Sequence, residues 1–369
     1  MEAAARLEVL RAHGADAGTA AEVLAYNESE FAAGAAGPLP LPDEPFVAVW
    51  EEYATAPAAA LRDRLVQLRF PIAEGISATP EYTAATRRGI APPADVPGLE
   101  LEAPERIRLF LHPTAAGRIP VVLVEHRPDF VAVVRALTRR NEPAYIPPSQ
   151  GAAMVAGYVN WDRVARLRAA HERGEMEECR GLPWPEAFQR MRDRKELYQD
   201  RFVLLSRGPY SGVGAAEMGL GEEEWLDVSR VIRLEHECAH YFTRRVFGSM
   251  RSRLLDEVIA DYAGISTAAG RFRADWFLRF MGLEHPTAYR AGGRLENYCA
   301  PYSLSEAAVT VLQSLVRRAA LNLETADSAL PAAARTPAGR ARLMSALACC
   351  TLEELASDEG APRILARLN

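Results

Sequence analysis

The densest group of reactive side chains is His236-Glu237-Cys238-Ala239-His240. On an α-helix, residues four apart return to one face a turn along, so both imidazoles can reach a single metal ion. Glu237 lies about 100° round the helix from His236. From there its carboxylate can hold a metal-bound water without entering the coordination sphere. It can then accept the proton that the metal makes acidic. The neighbours Val231, Ile232, Leu234, Ala239, Tyr241 and Phe242 are mostly apolar, which predicts a buried helix. Buried ionisable groups within one turn need partners, and a metal ion is one.

A catalytic zinc site takes three protein ligands and keeps one position open. The segment Asp256-Glu257-Val258-Ile259-Ala260-Asp261 offers the third. The sixteen residues between His240 and Glu257 suffice for a tight turn and an antiparallel second helix. Glu257 and Asp261 share a face of that helix. The expected arrangement puts Glu257 on the metal and Asp261 behind a ligand histidine, hydrogen-bonded to its far nitrogen.

HExxH followed by ExxxD resembles the gluzincin branch of the zincin metallopeptidases, over roughly residues 201–265. The resemblance implies His236, His240 and Glu257 as zinc ligands, Glu237 as general base and Asp261 as the group behind a ligand. Asp261-Tyr262-Ala263-Gly264 is also similar to the aspzincin ending, which keeps Asp261 as the alternative third ligand. In resembling enzymes a Tyr, His or Arg of the C-terminal helices donates to the oxyanion that develops on the substrate. His285, Arg294, Tyr298 and Tyr302 are the candidates, and Tyr298 is taken as the catalytic one. Zincins also run an edge strand beside the substrate. Arg201–Ser206 is the candidate strand, and Tyr210 just beyond it the candidate substrate contact.

Patterning around these residues predicts what holds them. A helix is expected over 222–247, with Glu222, Glu223 and Glu224 at its positive end and Gly248 just past its last turn. A second is expected over 253–268, closed by Gly270, and others near 272–282, 303–322, 336–349 and 351–357. Upstream, Ile107–His112, Val121–His126 and Arg201–Ser206 read as strands. Helices are expected at 127–140, 161–174 and 185–198, and earlier at 3–33 (broken near Gly14 and Gly18), 45–55 and 58–69. Residues 71–105 read as loop, and 143–160 as a glycine-rich apolar stretch. Strands before a long helix, then helices alone, predict an α+β fold. Its zincin-like core would be a small sheet plus the active-site helix, between mostly helical N- and C-terminal parts. The segments expected are a helical and extended N-terminal region over 1–105, a zincin-like α+β catalytic core over 106–270, and a helical C-terminal subdomain over 271–369.

Composition narrows the function. With 49% hydrophobic and 25% charged residues, the 369-residue chain is of soluble globular type. A net charge of −6 gives no basic footprint for nucleic acid. No apolar run is long enough for a membrane span, and the first residues lack a signal peptide's apolar core, so a cytoplasmic protein is expected. Lys195 is the one lysine among 43 basic residues and sits among charges, so a phosphate-loop lysine is excluded and a Schiff-base role is a poor fit. Cys179, Cys238, Cys299, Cys349 and Cys350 form no CxxC pair and are expected as reduced thiols. The expectation is a zinc-dependent hydrolase, with Zn2+ as its cofactor, that cleaves a peptide or other amide bond. Two alternatives stand beside it: a tailoring hydrolase or lyase acting on a small metabolite, and a non-catalytic binding protein on the same scaffold.

Overall fold

A computed structural model describes residues 2–32, 37–56 and 60–368; positions 33, 58 and 59 of the expected helices lie outside them. The secondary structure is α+β, as expected, with one four-stranded sheet and many helices among the described residues. No helix among them is long and apolar enough to cross a membrane. The chain divides into two compact units, each discontinuous in sequence. One comprises residues 1–41, 114–116 and 208–369, the other 42–113 and 117–207. The boundaries expected at 105/106 and 270/271 fall inside these units, and the sheet and the HExxH helix belong to different ones.

The sheet unit contains β1 (Ile107–His112), β2 (Ile119–Val124), β3 (Ala152–Val159) and β4 (Gln199–Ser206), in the spatial order β1-β2-β4-β3. β2 and β4 pair in parallel, while β1 and β3 run antiparallel on the outside. The expected edge position for 201–206 is therefore corrected. β4 is hydrogen-bonded on both sides and has no free edge for a substrate backbone. Its run Phe202-Val203-Leu204-Leu205 is fully buried, the mark of a strand covered on both faces. β3 is a strand that the glycine-rich stretch concealed. Its pairing is interrupted between Ala156 and Tyr158, where Gly157 adopts φ 77°. Trp50, Phe130, Val122 and Phe202 join one apolar core. The buried Asp200 within it accepts from Trp50, Asn160 and Arg163 at 2.6–2.8 Å.

The helical unit is organised around the antiparallel pair Glu222–Phe247 and Arg253–Ala269. Both end on glycines in the left-handed conformation, Gly248 (φ 76°) and Gly270 (φ 75°), which release the chain without a Cβ clash. Gly264 decides how closely the two helices approach. A Cβ there would lie 2.5 Å from the carbonyl oxygen of Ile232 and 3.2 Å from its carbon. The helix backbones thus nearly touch one turn before His236 and one turn after Asp261. Around the pair lie Ala3–Ala12, Ala17–Tyr26, Ala274–Met281, Leu295–Cys299, the long Glu306–Ala329 and three shorter C-terminal helices.

Candidate metal centre

Antiparallel register brings the two motifs face to face. His236 stands opposite Asp261, with Nδ1 2.9 Å from Oδ1, and His240 opposite Asp256, with Nδ1 2.9 Å from Oδ2. Asp261 is fully buried, and Asp256 nearly so; Asp256 also accepts from the Thr243 hydroxyl at 3.0 Å. Ionised carboxylates only accept hydrogen bonds, so each imidazole carries a proton on Nδ1. The Nε2 atoms point the other way and meet at 3.0 Å. Glu257 completes the cluster, with Oε2 3.5 Å from His236 Nε2 and Oε1 3.6 Å from His240 Nε2.

Those separations test the fit of a metal. Ligand atoms about 2.0–2.2 Å from one tetrahedral zinc ion lie roughly 3.3–3.6 Å apart. The two Nε2 atoms, at 3.0 Å, are slightly closer than that, and each lies at such a distance from a different Glu257 oxygen, His236 3.5 Å from Oε2 and His240 3.6 Å from Oε1. Among the described residues, His236, His240 and Glu257 are a group able to hold a metal ion. Burial disfavours a charge on His240, but Asp256, Glu257 and Glu237 outweigh it and push its pKa up to about 10.

The sequence expectations for these residues meet in space. Glu237 is half-buried on the same helix and makes no hydrogen bond or ion pair among the described residues, so its carboxylate is open to a further group. Asp261 lies on the Nδ1 side of His236, outside the cluster of His236, His240 and Glu257. Cys238 is buried and points into the core, its thiol pushed up by that burial.

Tyr210 and Tyr298 make contacts that the sequence did not lead one to expect. Tyr210, expected to contact substrate, is buried beneath Phe280, and its hydroxyl donates to Asp261 Oδ1 at 2.6 Å. It therefore supports the group behind His236. Tyr298, expected as the catalytic donor, gives its one O–H to Glu257 Oε2 at 2.6 Å. In this arrangement the hydroxyl serves Glu257. His285 and Tyr302, the other candidates, are exposed, with Tyr302 packed edge-on against Tyr26.

Arg294 joins these groups. Nε donates to Tyr298 (3.0 Å), one terminal nitrogen to Tyr210 (2.6 Å) and Ser211 (3.1 Å), and the other to Asp261 (2.6 Å) and Glu257 (3.4 Å). Burial disfavours its charge, but Asp261 and the surrounding oxygens hold its pKa well above the usual arginine value. The same guanidinium outweighs the burial of Asp261, which stays ionised with a pKa pulled down to about 2. The close-packed Gly282 and Gly293 place Arg294. A Cβ on Gly293 would fall 2.6 Å from Met281 O, so only glycine lets this loop close onto the end of helix Ala274–Met281. The Arg294 amide then bonds Phe280 O at 3.1 Å.

Sequence reasoning missed Asp256 as the partner of His240 and Arg294 as the hub. The signal for Asp256 was its place beside Glu257 with a histidine one helix away. Arg294 had no comparable signal, because its loop meets the helices only through tertiary packing. A cavity of about 770 Å³ lined by Leu61, Leu65, Leu99 and Val133 lies in the sheet unit and contains none of these residues.

A sequence profile described as a family of unknown function (DUF7005) matches residues 8–359, and the chain belongs to that family. No curated protein and no solved structure matches it.

Proposed function

We propose that this member of a family of unknown function is a zinc-dependent hydrolase of zincin type that cleaves a peptide or other amide bond. The observation that carries the reading is the convergence of His236 Nε2, His240 Nε2 and Glu257 at 3.0–3.6 Å, with both histidines backed by carboxylates. Such backing fixes the imidazole tautomer and raises ligand basicity, as expected of a metal site. His236, His240 and Glu257 would hold the ion, which supplies Lewis acidity, making water nucleophilic at neutral pH and polarising a carbonyl.

Glu237 is the base. Its carboxylate makes no hydrogen bond or ion pair among the described residues and lies on the helix that carries both histidines. It takes the proton of the attacking water and returns it to the leaving amine, one group acting in both directions. Asp261, Asp256 and Arg294 hold the histidines and Glu257 in place.

Replacing Glu237 by Gln tests the reading. The amide keeps the shape but cannot accept a proton, so zinc should stay bound while turnover of a panel of peptides and small amides falls by at least about 100-fold. An equally active Glu237→Gln protein contradicts the role.

A further inference from the structure

The two oxygens of Glu257 are not equivalent. Oε2 receives the Tyr298 hydroxyl at 2.6 Å and an Arg294 N–H at 3.4 Å. A carboxylate oxygen has two lone pairs in its plane, and both are engaged. Oε1 accepts no hydrogen bond among the described residues and lies 3.6 Å from His240 Nε2, while Oε2 lies 3.5 Å from His236 Nε2, so the two differ in their hydrogen bonds and not in their distance from the histidines. The two donors are themselves fixed. Arg294 has five N–H groups and five acceptors. Tyr298 is held along its chain, where its carbonyl accepts from the Tyr26 hydroxyl at 3.2 Å.

We propose that Tyr298 and Arg294 are positioning residues that restrict Glu257 to a one-oxygen metal ligand, bonding through Oε1 alone, and so keep a coordination position open for substrate and water. This rests on the metal reading above. The argument is one of lone-pair occupancy. For Oε2 to bond a metal as well, it would have to leave a short phenolic hydrogen bond and a buried guanidinium, and both donors would then be left unpaired in a buried place. A carboxylate bonded through both oxygens fills two positions beside the histidines. Bonded through one, it leaves the fourth tetrahedral position free, the arrangement a catalytic site needs.

Tyr298→Phe removes the hydroxyl and keeps the ring. The test uses the full chain loaded with Co2+, whose visible absorption is strong when four-coordinate and weak when five- or six-coordinate. Wild type should show the intense four-coordinate bands. Tyr298→Phe should bind cobalt at the same stoichiometry and lose those bands, because the freed Oε2 joins the coordination sphere. Unchanged bands in the folded variant overturn the proposal, as does a folded variant that no longer binds cobalt, since Oε1 bonds without help from Tyr298. The second measurement is independent of any variant: a crystal structure of the zinc-loaded wild type. Oε1 should lie about 2.0–2.2 Å from zinc with Oε2 outside bonding range. Both oxygens bonded to zinc overturn the proposal while leaving the metal reading intact. A wild-type chain that takes up neither ion overturns both.

Discussion

Gly264→Ala probes how the two helices create the centre, because the added methyl touches none of its residues. The new Cβ would stand 2.5 Å from the Ile232 carbonyl oxygen. Relieving that contact to about 3.4 Å needs the helices to separate locally by ~0.9 Å. Asp261 lies three residues before Gly264, and His236 four residues after Ile232. A separation of that size stretches their 2.9 Å contact to about 3.8 Å, beyond hydrogen-bond range. Loss of a carboxylate behind a ligand histidine costs about 10–100-fold in metal affinity, or roughly 1.4–2.7 kcal/mol. Stability changes less. Overpacking costs ~1–3 kcal/mol, but alanine in mid-helix returns about 1. The assay is zinc affinity by chelator competition, with thermal unfolding measured in parallel. A folded Gly264→Ala protein with wild-type zinc affinity would refute the claim that this close approach sets the His236–Asp261 contact.

Asp256→Asn keeps the size of the group behind His240 and removes its charge, so zinc affinity should fall about 10–100-fold; equal affinity in chelator competition would show the pair to be incidental. Zinc binding should also release a proton from His240, whose pKa in the metal-free site is pushed up to about 10, first against burial and then by Asp256 and Glu257. The raised pKa means that imidazolium stabilises the metal-free fold fully below the unfolded value of about 6.5, and that this contribution is lost as pH rises through 10. Zinc affinity should therefore climb with pH across that window. Calorimetry in buffers of different ionisation enthalpy should count about one proton released per zinc at neutral pH, and none released contradicts it.

The helix pair was legible in the sequence because each signal is local. Acids at the start, a four-residue spacing of polar groups within apolar flanks, and a glycine at the end placed 222–247 at its observed ends. What the sequence hid was set by contacts between distant residues. Pairing of β4 with both β2 and β3 depends on strands far apart in the chain, so its interior position could not be read from 201–206 alone. β3 escaped because alanine and glycine are weak strand formers and the bulge at Gly157 breaks its alternation. The helix Pro80–Arg88 was legible and overlooked. Thr79 caps it, Pro80 occupies its first turn, and Gly89 ends it in the left-handed conformation, yet the density of Pro, Thr and Gly across 71–105 read as loop. At the site, the clustering of His236, His240 and Glu257 followed from helical spacing. The roles of Tyr210, Tyr298 and Arg294 did not, because a hydroxyl or guanidinium finds its partner only once loop and helix have packed. Gly264 did carry a signal, since a glycine in mid-helix costs about 1 kcal/mol and so points to close packing.

The central claim is that His236, His240 and Glu257 form one metal site. Elemental analysis of the purified wild type beside His236→Ala and His240→Ala tests it most directly. About one zinc per wild-type chain, and none in either variant, is the result expected of three ligands that no neighbour replaces. A wild type that stays metal-free in the presence of excess zinc, or equal zinc in all three proteins, would contradict it.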